Sequence, residues 1–307
     1  MVNQTTISIL VPYQAQGYRF SVEFNTQLVT TYNTLSGSRL WPTIYNSRTT
    51  DLIPSTGDIY YPTAGSLTGV ENINHQIIYF QPGVYYMGSN YVPMLSPTVQ
   101  WIYLAPGAYV KGSFAYQGGA SWLKITGFGV LSGEQYAYMP DRNNGFNHAL
   151  TDKYGSCVKL LQFFVSSGTS PHLDLHGVTI MEPPFNSFIV YANSDSDLNQ
   201  FSMSVSSYHQ VGAWYWQTDG LELYANSNSF FHANDDVIKL FHSDSSSSNV
   251  VIWKGENGPV FQFGWIRAIS RILASKVLTL YTTVSGGRAS KSTRVSSRRP
   301  SRLLILL

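Results

Sequence analysis

The feature that most constrains this chain is an internal repeat. IIYFQPGVYYMG at Ile77–Gly88 returns as WIYLAPGAYVKG at Trp101–Gly112. Pro82 and Pro106, Gly83 and Gly107, Tyr85 and Tyr109, and Gly88 and Gly112 are each 24 residues apart. A unit of that length cannot bury its own apolar face, so copies must stack on one another. A second echo pairs ITGFGVLSG (Ile125–Gly133) with LHGVTIMEP (Leu175–Pro183) at an offset of 50, close to two such periods. No amphipathic helical stretch of useful length precedes Trp265. Short apolar runs with Gly, Asn and Ser at the bends predict an all-β chain built as a right-handed parallel β-helix, its coils stacked at ~4.8 Å. An all-β sandwich is the competing architecture. Four to six coils are expected, interrupted by loops at Gln135–Ser156 and Asn193–Gln200.

Ahead of the repeat the pattern changes. Phe20, Val22 and Phe24 alternate with Arg19, Ser21 and Glu23, the period of a half-buried strand. Residues 1–70 therefore read as a partial antiparallel β-sandwich and 71–265 as an incomplete β-helix. The charge balance marks a third region. From Arg267 on there are nine Lys/Arg and no acid, so residues 1–266 carry ten basic groups (19 − 9) against seventeen acidic ones. Residues 266–307 are expected to be an aberrant basic tail, largely without order.

Composition narrows the function. Charged residues are 12% and aromatics 14% of 307 residues, which excludes disordered and nucleic-acid-solvating classes. No apolar stretch is long enough to span a bilayer, and residues 1–30 show no signal-peptide pattern. A lone Cys157 excludes an intrachain disulfide and a cysteine metal cluster. No nucleotide, metal or nucleophile-elbow motif is present, so no cofactor and no metal are expected. A monomer is expected, with neither nucleic acid nor membrane as partner.

The carboxylates stand out. GAWYWQTDGLELY (Gly212–Tyr224) and HANDDVIKLFHSD (His232–Asp244) place acids beside apolar and aromatic residues. In a regular strand one of Asp235 and Asp236 would enter the core unpaired, so a bend is expected there. The interval from Asp219 to this pair approximates one short coil, which puts three acids on adjacent coils of one face. Carboxyl separations in the ~6.5–9.5 Å range of inverting glycosidases are then open to them. Asp-Gly and Asn-Asp as ordinary turns are the competing reading. Lys239 is a candidate to hold a neighbouring carboxylate ionised, or a surface lysine. Gln217 shares a face with Asp219 if the strand is regular. Trp216, Trp253 and Trp265 are candidate sugar-stacking platforms, with ordinary packing as the alternative.

At GFGVLSGEQYAY (Gly127–Tyr138), LDLHGVTIMEPPFNSFIVY (Leu173–Tyr191), QVGAWYWQTDGLELY (Gln210–Tyr224), NDDVIKLFHSD (Asn234–Asp244) and VIWKGENGPVFQFGW (Val251–Trp265) the chain resembles glycoside hydrolase family 49, the dextranase and isopullulanase family. The resemblance implies a β-sandwich followed by a right-handed parallel β-helix, and a secreted, inverting, endo-acting hydrolase of an α-glucan polysaccharide, pullulan ahead of dextran. It implies that Asp235 is the general acid and that Asp219 and Asp236 hold or deprotonate the attacking water. A non-catalytic carbohydrate-binding β-helix and a pectin hydrolase are the alternatives. The likeness ends at Trp265 together with the acids, which points to a shifted reading frame beyond it.

Overall fold

The computed structural model describes residues 53–118, 122–151, 154–222, 225–227, 229–240, 246–248, 250–263 and 278–282. The chain divides into two compact units between Thr50 and Asp51. Residues 1–52 of the expected sandwich lie outside the described residues, as do Trp265 and most of the basic tail.

The second unit is a right-handed parallel β-helix. Each coil passes through three sheets in turn. The first sheet stacks Ile59–Tyr60, Ile77–Phe80, Trp101–Leu104, Trp122–Gly127, His172–His176, Ser202–Ser206, Ala225–Ser227 and Ser246–Ser248. The second runs from Gly65–Ser66 through Gly83–Tyr86, Ala108–Lys111, Val130–Ser132, Thr179–Met181, His209–Val211, Phe230–Ala233 and Val250–Lys254 to Leu278–Thr282. The third is in two blocks: Met94–Leu95, Phe114–Gly118, Leu161–Val165 and Phe188–Ala192, then Leu221–Glu222, Ile238–Leu240 and Phe261–Phe263.

Apolar ladders fill the interior because equivalent positions of successive coils fall in register. Ile78, Ile102, Ile125, Leu175 and Val205 pair one above another in the first sheet and are all buried. Tyr85, Val110, Leu131 and Ile180 do the same in the second. Each such side chain contributes roughly 1.5–3 kcal/mol by leaving water. The corner between these two sheets is tight. At Gly127 the backbone is left-handed, and a Cβ would sit 1.9 Å from the Leu104 carbonyl oxygen. Only glycine allows the coils to approach so closely.

Several expectations are corrected. Gly83 and Gly107 do lie in stacked turns, joined by a hydrogen bond from Gly83 N to Gly107 O of 3.0 Å. Tyr85 and Tyr109, however, are not equivalent: Tyr85 pairs with Val110. The corner grows from Gln81–Pro82 to Ala105–Gly107, and that one-residue slip turns Tyr109 outward while Tyr85 stays inside. The offset of 50 is one coil, not two, since Ile125 pairs directly with Leu175. The extra length is the excursion at Gln135–Ser156, which contains a small antiparallel hairpin, Pro140–Asp141 with Asn147–His148. The helix is deeper than four to six coils: its first strand is Ile59–Tyr60, ahead of the boundary expected near residue 70. Asn193–Gln200 is mostly a short helix, Asp195–Gln200, with Ser194 as its N-cap. Leu278–Thr282, inside the segment expected to lack coil pattern, pairs in parallel with Val250–Lys254.

Candidate active site

The acids gather at the corner between the second and third sheets. Three turns stack there: Gly212–Gly220, Asn234–Val237 and Gly255–Val260. Gly220 N donates to Asp236 O at 2.8 Å and Leu221 N to Val237 O at 3.1 Å, tying the first turn to the second. Gly255 N donates to Ala233 O at 2.9 Å and Val237 N to Pro259 O at 3.3 Å, tying the second to the third. Asp219 and the Asp235–Asp236 pair therefore occupy adjacent coils. Residues 212–220 form bends and a turn, not a strand, so the argument that Gln217 shares a strand face with Asp219 fails.

Polar groups intrude into the interior at this level. In the second-sheet ladder the position above Ile180 is Gln210, fully buried. Its Nε2 donates to the Asp219 carbonyl at 2.9 Å and to the His232 carbonyl at 3.1 Å. Ser187 Oγ donates to the carbonyls of Asp219 and Gly220 at 3.2 Å each. A buried carbonyl without a partner is costly, so these side chains fix the backbone on which Asp219 is carried.

Asp219 is 6% exposed, and its Oδ2 accepts from Asn186 Nδ2 at 2.8 Å and forms an ion pair with Lys239 Nζ. Burial raises its pKa, while the Lys239 ammonium works against that rise. Asp236 is also raised by burial and by Asp219, with Lys239 and Lys254 opposing. Asp235 is the least buried of the three. Burial, and then the charges of Asp219 and Asp236, push its carboxyl up to about 6. Its Oδ2 accepts from Asn257 Nδ2 at 2.8 Å and its Oδ1 from the Asp236 backbone N–H at 3.0 Å. Gly258 closes the group from the third turn. Its φ is positive, and a Cβ there would meet Asp235 Oδ1 at 2.1 Å and Asp236 Oδ1 at 2.8 Å. All three carboxyls are raised, but their partners differ: Lys239 and Asn186 on Asp219, Asn257 and the Asp236 N–H on Asp235.

A cleft of about 340 Å³ is lined by Trp216 and Gln217, from the turn that carries Asp219, on one side and by Tyr138, His148 and Leu150 of the 135–156 excursion on the other. Trp216 is 69% exposed, an open ring at the mouth. Tyr138 stacks on Tyr215 at 4.6 Å, and its hydroxyl accepts from Gln217 N, which locks the two walls together. Asn257 Nδ2 also donates to the Trp216 carbonyl at 2.8 Å, linking cleft and acid directly. Trp253 is placed differently from Trp216. It stacks on buried His232 at 4.7 Å and meets Trp214 edge-on at 5.5 Å, so it belongs to the packed wall.

Asn186, Gln210, Lys254, Asn257 and the Tyr138–His148 wall were not among the sequence candidates. A signal existed for two of them. Lys254 ends the otherwise apolar strand VVIWK, and Gln210 takes a ladder position where an aliphatic residue is due.

Comparison with known proteins finds relatives over most of the chain. Residues 1–52 match the model of the glycosyl hydrolase family 49 N-terminal Ig-like domain. A dextranase of Arthrobacter globiformis is 46% identical over 297 residues, 86% of this chain and 46% of that protein. An isopullulanase of Aspergillus niger is 36% identical over 277 residues, 85% of this chain and 47% of that protein. Among solved structures, Dex49A from Penicillium minioluteum superposes with a TM-score of 0.73 at 29% identity, covering 91% of this chain and 56% of that one. The chain spans about half the length of the curated relatives it matches.

Proposed function

The chain belongs to glycoside hydrolase family 49, and from that premise we propose that its stacked corner turns hydrolyse internal bonds of an α-glucan with inversion at the anomeric carbon. The observation that carries this is Asp235. Its carboxyl, raised to about 6, is tied through Asn257 to Trp216 of the cleft wall, while the more buried Asp219 is paired with Lys239. Asp235 donates its proton to the glycosidic oxygen as the bond to the sugar breaks. Asp219 and Asp236 orient and deprotonate the water that attacks the opposite face. The Lys239 ammonium keeps negative charge available at Asp219 for that step. Charge develops at the ring carbon and is met by the carboxylates, so the chain's own residues supply both proton transfers. A polysaccharide substrate implies action outside the cell.

The family resemblance puts pullulan first. The higher identity to the bacterial dextranase, 46% against 36% for the isopullulanase, weighs for dextran. The experiment is a reducing-sugar assay on dextran, pullulan and pectin, with Asp235→Asn as control and the anomer of the product followed by NMR. Release from an α-glucan that yields the inverted anomer and is lost in Asp235→Asn supports the reading. Retention of configuration, or equal release by the variant, removes it. Pectin cleavage would make the chain a pectin hydrolase, and binding without release a carbohydrate-binding β-helix.

A further inference from the structure

We propose that Lys254 is a positioning residue of this site: a buried ammonium that clamps the Asp235–Asp236 turn to the Gly255–Val260 turn and so presents Asn257 to Asp235. The proposal rests on the catalytic reading above. Lys254 closes a second-sheet strand, Val250–Lys254, and is 4% exposed. Its Nζ donates to the carbonyls of Asn234 at 2.6 Å and Gly255 at 3.1 Å, and to that of Asn257. Three N–H groups of an ammonium meet three carbonyl oxygens, one on the turn that carries the acids and two on the turn above it. A single backbone N–H has one hydrogen to offer, whereas the ammonium has three, one for each of these oxygens.

The rest of the clamp is consistent with this centre. Asn234 Oδ1 accepts from Glu256 N at 2.8 Å and from Asn257 N at 3.1 Å, while its Nδ2 donates to Trp214 O at 2.7 Å. Asn257, thus held at N–H and C=O, aims its side-chain amide at both Asp235 Oδ2 and Trp216 O. One cation therefore ties the second and third of the stacked turns, and the Asn234 amide joins them to the first. The charged and titratable groups around it are Asp219, Asp235, Asp236 and Lys239, with Glu256 on its own turn and buried His232 beside it. The imidazole of His232 is pushed down to about 4 by burial and, second, by Lys254, so it is neutral in the working range. Burial lowers Lys254 itself to about 8, with the three carboxylates opposing, and its charge is retained below that pH.

The test uses the full chain and two variants. Lys254→Met keeps the stem and removes the ammonium. Asn257→Ala leaves all three backbone carbonyls around Lys254 and removes the side-chain donor to Asp235 and to the Trp216 carbonyl. In Lys254→Met, measured where the variant is folded, kcat falls roughly 10–100-fold with KM little changed, as expected when reacting groups are misplaced. Its acid limb also moves to higher pH, because Asp219 and Asp236 lose a nearby positive charge. In Asn257→Ala the basic limb moves to higher pH, because the Asp235 carboxylate loses a donor. A Lys254→Met protein that melts at a lower temperature but keeps the parental kcat and pH profile would reduce Lys254 to a structural role and overturn the proposal. If Lys254→Met does not fold, an unmoved basic limb in Asn257→Ala overturns it instead. A parent chain that cleaves no glucan removes the catalytic reading alone. The proposal is then decided by carboxyl NMR titration of 13C-labelled aspartate, in which Lys254→Met must move the Asp219 and Asp236 titrations upward, and Asn257→Ala that of Asp235. Titrations left in place would overturn it.

Discussion

Two corners of the same helix obey opposite rules. The corner between the first and second sheets is two or three residues in coil after coil: Gln81–Pro82, Ala105–Gly107, Phe128–Gly129, Gly177–Val178, Ser207–Tyr208. Its close backbone approaches leave no room for a longer connection. The corner between the second and third sheets varies from coil to coil: it is Met87–Pro93, then only Gly112–Ser113, then the 135–156 excursion, Glu182–Ser187 and Gly212–Gly220. Every acid of the site, both walls of the cleft, and Asn186 and Asn257 stand on this second corner. The first holds the coils together; the second is free to vary because the first does not. A stacked solenoid can therefore build a polar pocket at one edge without disturbing the apolar ladders beneath the others.

The sharpest way to separate the two corners is to change a group that belongs to the chemistry alone. Asp235→Asn should lower kcat by roughly 10²–10⁴-fold, the usual contribution of a general acid. The same group gives the pH dependence. Its folded carboxyl is at about 6, above the 3.8 of an ordinary aspartate, so the wild-type acid is spent as pH rises through 6 and activity falls with it. The stability sign follows. A raised folded pKa contributes stability below 3.8 that is lost as pH climbs to about 6. Asp235→Asn should therefore melt higher than the parent at pH 7, and the gain should vanish below pH 4. Calorimetry across that range checks it, and an unchanged difference would contradict the burial of this carboxyl.

Next in size is the ion pair beneath the acids. Lys239→Met leaves Asp219 buried without its cation, which should cost about 3–5 kcal/mol of unfolding free energy in urea titrations. Adding Asp219→Asn to Lys239→Met should recover much of that loss while leaving the protein inactive. No recovery would mean that Lys239 supports the corner through packing rather than charge.

A smaller effect compares two rungs of one ladder. Leu131 and Gln210 occupy corresponding inward positions, joined through Ile180. Leu131→Ala should cost about 2–5 kcal/mol, a plain cavity. Gln210→Leu strips the carbonyls of Asp219 and His232 of a donor and should cost about 1–3 kcal/mol, but with a loss of kcat that Leu131→Ala does not show. Equal effects of both variants on kcat would deny the polar rung any part in placing Asp219.

What the sequence allowed one to read divides along the same line. Ladders repeat, so Ile77–Phe80 and Trp101–Leu104 announce a coil, and the Pro-Gly turns do stack. The repeat could not register the extra residue at Ala105–Gly107, because a similar string slipped by one still looks similar while its side chains change faces. The Asp219 and Asp235–Asp236 turns were visible as acids among apolar residues. The partners that hold them were not. Asn186, Gln210 and Asn257 come from coils above and below, and the stacking that gathers them is non-local. The offset of 50 looks like two periods for the same reason: a long second corner hides inside one coil. Gln217 shares a face with Asp219 only in a regular strand, and residues 212–220 are a turn instead.

The smallest expected effect lies at the rim. Trp216 is 69% exposed and contributes little to the fold, in contrast to Trp253, which packs on His232. Under the proposed function this open ring lies against the apolar face of a sugar, and Asn257 bonds both its carbonyl and Asp235. An aromatic contact of this kind is worth about 0.5–1.5 kcal/mol, so Trp216→Ala should raise KM roughly two- to tenfold with kcat and melting temperature held. Trp253→Ala should do the reverse, lowering the melting temperature by opening a cavity against His232 and Trp214. The pair of variants tests the division at its edge. A drop in melting temperature for Trp216→Ala with unchanged KM would place that ring in the scaffold and move the substrate's path to the Tyr138–His148 side of the cleft.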